Sequence, residues 1–415
     1  MAAKNVDRWR GRVRITDETA MILPTTLIFM GVLVLLGTTA FVMTTTEIKI
    51  GKNHKVSEQA FYGAVAGCEE ARARLADGAA TPVTDTNPHE TLWRTYIGSV
   101  QSAVQYGFDP ADSVHHRYDS LSDALVYTVI IRHSGGSAGP CYWGDVTGDG
   151  LPQRNGVAGK NIYDVTTHVS LQGSSQTVQT EIAEIAPVSV SAALYVESAT
   201  AIQGCATHVL GINGCTGSDK KGIVTAQSAG SVSVSGGAQV TGSGGAVPNI
   251  SYNGTDMDVE GIVGFYAEYA DFRYCGVGVT HGAASIPGPG EGWGTPSAGP
   301  TLQDASSCAA CIILHYDTAA TYLKLSAGVH GCGMLLVDGD LEISGDFFWY
   351  GPVIVTGSVV FSGGGNRNIT GALVSGGSVV CDVSGGDSNI IYCRDAVKAP
   401  TQGRPLECLS WNVGS

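Results

Sequence analysis

The sequence predicts an α+β protein in three parts: a long N-terminal transmembrane helix, a small β-meander domain, and a C-terminal β-solenoid (β-helix). Three observations predict it. Residues 20 to 43 carry no charge, apolar helical spacing continues to about residue 76, and glycine-punctuated phrases recur every 18 to 20 residues near the C-terminal end. The boundaries read as a basic leader at 1–20, the helix at 21–78, a membrane-proximal α/β domain at 79–187, and the solenoid at 188–415 with an irregular insertion at about 250–330.

Composition agrees with a strand-rich body. Of 415 residues 57 are Gly, and only 14% are charged, which favours short strands and turns. The formal net charge is −14, although residues 1 to 20 are net basic (Lys4, Arg8, Arg10, Arg12 and Arg14 against Asp7, Asp17 and Glu18). So acidic a body repels a phosphate backbone, and no nucleic-acid partner is expected. All eleven cysteines follow residue 43, a number that suits an oxidising compartment beyond a membrane span.

The apolar stretch "TAMILPTTLIFMGVLVLLGTTAFVM" is too long for the roughly 7 to 15 residue core of a secretory signal. As a helix, 24 residues reach about 36 Å, enough for a hydrocarbon core of about 30 Å. The basic leader places the N-terminus in the cytoplasm. Beyond the span, Val56, Ala60, Ala64, Cys68, Ala71 and Leu75 fall on one helix face, with Lys52, Lys55, Glu58, Glu69, Arg72 and Arg74 on others. Asp77 and Gly78 supply a stop. One helix therefore runs half in lipid and half outside, and an ordinary single-pass anchor is one reading of it.

The same residues resemble the type IV pilin superfamily, whose prepilins join a short basic leader to an apolar helix with an amphipathic continuation. The match lies in "ETA" before "MILP", and the run "TTTEIKIGKNHKVSEQAFYGAVAGCEEARARLAD" is similar to a PilX-type N-terminus. The resemblance implies cleavage by a prepilin peptidase between Ala20 and Met21, with Pro24 becoming the fourth residue of the processed chain. Ala20 stands where pilins usually have Gly, and Thr25 stands where major pilins carry Glu. The resemblance thus implies a PilX-like minor pilin that supports type IV pilus assembly. It begins in the bacterial inner membrane with its head in the periplasm and ends in an extracellular pilus, near the tip. Implied partners are other pilin subunits and the assembly machinery, with a surface or carbohydrate ligand for an adhesive head. A pseudopilin tip subunit of a type II secretion system is the structurally similar alternative.

In the membrane-proximal domain, residues 123–133, 161–173 and 176–185 read as strands, the last two joined by Gly-Ser-Ser, and a meander against the protruding helix is the simplest arrangement. Between them "GDVTGDGLPQRNG" places Asp145, Thr147 and Asp149 at alternate positions before Gly150, as a calcium loop does, but Gly156 occupies the place of a bidentate Glu. Calcium and a plain Asp-Gly turn are both open. His115 and His116 point opposite ways in an extended chain and read as a solvated loop.

In the C-terminal part, "VDGDLEISG", "VTGSVVFSG" and "VSGGSVVCDVSG" are one phrase three times, with Gly339, Gly357 and Gly377 18 and 20 residues apart. Weaker copies lie at 229–244 and 193–204. Units of this length cannot bury an apolar face alone and must stack, with Leu341, Ile343, Val359 and Phe361 inward. A β-sandwich of hairpins is the competing reading. Cysteine spacing suits bridges between Cys205 and Cys215, between Cys381 and Cys393, and within the CxxC of Cys308 and Cys311, which lacks the following His of a haem site.

No catalytic elbow, zinc-protease or nucleotide-loop motif is present, and a non-enzyme is expected. A membrane-tethered polysaccharide-active β-helix enzyme is the alternative from another class. Its carboxylates would be sought among Asp338, Asp340, Glu342 and Asp346, where Arg367 is the sole basic residue between 331 and 380. The aromatic run "FFWY" at 347–350 reads as core or as an exposed binding patch.

Overall fold

The computed structural model describes residues 17–76, 81–98, 115–118, 126–136, 139–204, 206–212, 215, 217–281, 293–296, 308–326, 328–381 and 387–414. The leader before residue 17, the stop at Asp77 and Gly78, Cys205, and most of the Pro and Gly-rich stretch at 285–300 lie outside them, as do the side chains of His115 and His116.

Helix α1 spans Asp17–Leu75, 59 residues and about 88 Å long. Its two halves differ in what they touch. From Ile22 to Met43 the large apolar side chains stand in the open, whereas Val56, Ala60, Ala64, Cys68 and Ala71 are buried. The buried stripe is small because the helix lies close on a sheet. A Cβ at Gly67 would sit 2.5 Å from Thr167 Cγ2, so this position holds the closest approach.

That sheet runs, in spatial order, His115–Tyr118, Arg94–Gly98, Tyr127–His133, Lys160–Leu171, Ser174–Ala183 and Glu407–Gly414. Every neighbouring pair is antiparallel except the first. Strands Lys160–Leu171 and Ser174–Ala183 form a hairpin whose two-residue turn, Gln172 at φ 47° and Gly173 at φ 86°, has the primed geometry that matches strand twist. Trp93, Ile97, Val129, Val165 and Val178 close the core against the helix stripe.

Most of the described residues between Ala192 and Tyr392 form one 16-stranded curled sheet in which every pairing is parallel. From Val329 to Tyr392, partners are separated by about one sequence repeat. Phe347 lies over Val329, and Arg367 over Phe347, steps of 18 and 20 residues. Two glycine columns have this same step. Gly357 donates its N–H to Gly339 O and Gly377 to Gly357 O, each at 2.9 Å. In the second column Gly351 and Gly371 have φ of 137° and 150°, and a Cβ on Gly351 would lie 1.9 Å from Gly333 O. Only glycine permits both the conformation and the approach. Leu341, Ile343, Val359 and Phe361 are all buried between such columns.

The chain does not climb the stack in order. It enters in the middle with Ala192–Val196, Thr200–Gln203 and Thr207–Leu210, then adds Lys221–Thr225 and Ile250–Ser251 on one side. Helix α2, Val259–Ala267, buries Ile262, Val263 and Tyr266 in the head core, and the segment after it starts the opposite end of the stack. There Phe272–Cys275 pairs with Ile312–Ser326, and successive strands return until Ser388–Tyr392 lies on Thr207–Leu210. The stretch at 250–330 is therefore partly regular, contributing α2 and strands of the main sheet, because it links the two ends. After α3, Arg394–Lys398, the strand Glu407–Gly414 leaves the head and pairs with Ser174–Ala183.

Candidate functional site

Among the described residues, most of the exposed large apolar side chains belong to the first half of α1, which is long and apolar enough to cross a membrane. Leu23 is 70% and Phe41 71% exposed, values that suit lipid or other helices and not water. The polar atoms of this half are satisfied internally. Thr25 and Thr26 donate to Ile22 O, Thr38 to Val34 O, Thr39 to Leu35 O, and Thr44, Thr45 and Thr46 to carbonyls four residues back, all at 2.6 to 3.0 Å. Hydroxyls bonded this way can enter an apolar medium at low cost. At Thr25, where a carboxylate would offer a charge, the side chain is turned onto its own helix. Ala20 and Met21 lie within the helical span, and only their backbone is described.

The Asp145, Thr147 and Asp149 loop closes on itself. Asp145 accepts from Gly148 N at 2.7 Å, Thr147 Oγ1 at 3.2 Å and Gly150 N at 3.0 Å, while Asp149 accepts from Leu151 N at 3.0 Å. Asp149 O receives the N–H of Asp258 at 3.0 Å, which ties the loop to the start of α2. Its carboxylates serve a turn, and among the described residues no third carboxylate joins them.

On the far side of that contact lies a cleft of about 400 Å³ lined by Glu197, Asp256, Asp258 and Glu260. Asp258 caps α2 by accepting from Gly261 N at 2.9 Å, and Asp256 accepts from Tyr195 Oη at 3.1 Å. Burial, and then Asp256, Glu260 and Asp258, push Glu197 up to about 7. Sequence reading missed this group because its members lie in different parts of the fold.

The two described bridges join residues 178 and 24 apart and do not close the short loops expected. Cys215 is bonded to Cys393, and Cys308 to Cys332. The expected partner of Cys308, Cys311, is a free thiol, and the three sulfurs of Cys308, Cys311 and Cys332 lie within 4.8 Å of one another. Cys381, expected to meet Cys393, faces inward on the strand Val379–Cys381 and is buried in the core, where burial pushes its thiol up to about 12. Stacking explains the difference. Cys393 follows the strand Ser388–Tyr392, which lies on Thr207–Leu210, so its neighbour comes from the earlier coil.

Of the aromatic run, Phe347, Trp349 and Tyr350 are buried and Phe348 is half-buried. Phe347 and Trp349 are buried with stacked rings 6.2 Å apart, and Trp349 Nε1 donates to Gly333 O at 2.9 Å. Asp338 accepts from Thr356 Oγ1 and Asp340 from Ser358 N, so both carboxylates are used at coil corners. Arg367 is fully buried and donates to Ser362 O and Gly363 O at 2.8 and 2.6 Å. The pair of buried His133 and half-buried Asp85, 2.9 Å apart, also has a structural setting. His133 stacks on Trp93, and Asn161 and Tyr163 donate to the same carboxylate.

No protein-family model matches the chain, and no curated protein matches it. Among solved structures, the crystal structure of the competence-associated pilin ComZ from Thermus thermophilus aligns over 86% of this chain and 97% of that chain, at 12% identity and a TM-score of 0.21. A likeness at that score carries no argument about fold or function.

Proposed function

We propose that the chain is a PilX-like minor pilin, anchored by α1 in the bacterial inner membrane, cut between Ala20 and Met21, and incorporated sparsely into a type IV pilus with its head displayed for adhesion or surface contact. The observation that carries this reading is the division of α1, with an exposed, uncharged, internally satisfied first half and a second half docked on an antiparallel sheet. Pro24 supports the cut. In the uncut helix it is an interior proline, whereas after cleavage it lies in the first turn, where backbone N–H groups have no intrahelical acceptor.

The head is read as a β-solenoid, supported by all-parallel pairing and the repeat-length register. Such a head is too bulky for a filament core, and the absence of a charge at Thr25 suits a rare subunit. Deleting the gene should reduce surface filaments, and the protein should be recovered in trace amounts in the sheared fraction. Normal filament numbers together with impaired export of a secreted enzyme would favour the type II secretion alternative.

A further inference from the structure

Three sulfurs meet at one corner of the parallel stack, and two of them are bonded. Cys308 is joined to Cys332, Cys311 keeps its thiol, and the three Sγ atoms lie within 4.8 Å of one another. Each is held by its own piece of backbone. Cys308 opens the short strand Cys308–Ala310, which pairs with Thr295–Pro296 outside the main sheet. Cys332 is buried inside the strand Val329–Ser344, with its N–H on Trp293 O at 2.8 Å. Cys311 immediately precedes Ile312, whose partner across the parallel ladder is Gly333, the residue after Cys332. That register sets Cys311 beside Cys332 at about the 4.8 Å spacing of neighbouring strands, within the roughly 4.4 to 6.8 Å between Cα atoms that a disulfide needs.

We propose that this corner is a thiol-disulfide exchange site, in which Cys311 attacks Cys332 and displaces Cys308. The Cys311 thiol first gives its proton to solvent. Its thiolate then forms a bond to Cys332 Sγ as the bond between Cys308 and Cys332 breaks, and the electron pair leaves on Cys308, which takes up a proton. One disulfide and one thiol enter the step and one of each leaves it, so no oxidant or reductant is consumed.

Exchange moves the covalent tie off the strand Cys308–Ala310 and onto the start of the strand Ile312–Ser326. The pair formed by Cys308–Ala310 and Thr295–Pro296 is then held to the stack without a bridge of its own, while Cys332 stays bonded throughout. Cys311 is half-buried, so solvent can take its proton. Burial pushes its thiol up to about 11 while Arg404 draws it the other way, and Tyr350 is the further titratable group whose charge bears on it. The thiolate is scarce at neutral pH, which makes exchange slow there and faster as pH rises. The site does not depend on whether the chain enters a filament.

The test locates the free thiol in the full-length protein in non-ionic detergent. The protein is held without oxidant or reductant at about pH 9, where the thiolate is about 100-fold more abundant than at pH 7. Free thiols are then blocked with N-ethylmaleimide in mildly acidic denaturant, the bridges are reduced and labelled with deuterated N-ethylmaleimide, and peptide fragmentation places each label. Cys308 should carry the first label in at least about 1% of chains, a share typical of a minor state, with Cys311 carrying it in the rest and Cys332 in none. Cys311→Ser should leave Cys308 without the first label. Cys308→Ser should keep its fold, judged by melting temperature, and bridge Cys311 to Cys332. A first label confined to Cys311 in the wild-type chain, an unchanged Cys308 label in Cys311→Ser, or a folded Cys308→Ser with Cys311 and Cys332 both unbridged would each overturn the proposal.

Discussion

At the scale of single residues, Glu197 makes the sharpest prediction. Its pKa of about 7 in the folded protein stands above the unfolded value near 4.5, so folding favours its protonated form. The stability this contributes is fully present below about pH 4.5 and is lost as pH rises through about 7. Glu197→Gln keeps the shape and removes the charge. Its melting temperature relative to wild type should therefore be higher at pH 8 than at pH 5, and an equal difference at both would remove the acidic cleft as the cause. Asp85 behaves in the opposite sense. Burial raises it, but hydrogen bonds from His133, Asn161 and Tyr163 outweigh that and hold it below the usual carboxylate range. Of these residues the sequence disclosed little. Nothing in the spacing of Glu197 and Asp256, or of Asp85 and His133, indicates that they meet, because side-chain clusters of this kind depend on how distant strands are registered.

At the scale of elements, much was legible. The stripe from Val56 to Leu75 marks the docked face of α1, and Gly339, Gly357 and Gly377 mark one corner column of the parallel sheet. Both follow from local period, which the sequence carries directly. The second column, Gly333, Gly351 and Gly371, has the same 18 and 20 residue steps and was within reach of the same reading. Gly351→Ala places a Cβ against Gly333 O at a φ hostile to alanine. It should destabilise the head by about 2 kcal/mol or more, measured by denaturant titration of head fluorescence. Gly67→Val would force α1 off Thr167 and should cost about 1 to 3 kcal/mol in the membrane-proximal unit, whereas Gly51→Ala, in open space on the same helix, should be neutral or slightly stabilising.

At the scale of the whole molecule, periodicity gives the rung but not the route. The first coil stacks on the last, the chain crosses from one end of the stack to the other through α2, and the final strand returns to the membrane-proximal sheet. These are long-range closures, and they explain why short-loop bridges were expected where Cys215 in fact joins Cys393, 178 residues on. Peptide mapping under non-reducing conditions should recover Cys215 linked to Cys393 and Cys308 linked to Cys332, with Cys381 alkylatable only after unfolding. The first bridge spans 178 residues, and Cys215→Ser should cost about 5 kcal/mol in the chain-entropy picture. A native link between Cys308 and Cys311 would contradict the stacking order around the CxxC.

In the function proposed above, α1 is first a membrane anchor and then part of a filament. That succession is tested most directly by the intact mass and N-terminal sequence of the protein recovered from membranes and from sheared surface filaments. The account predicts a chain beginning at Met21 in both fractions. A chain that retains Met1 and is confined to the membrane would contradict it, leaving α1 as an ordinary anchor for the head.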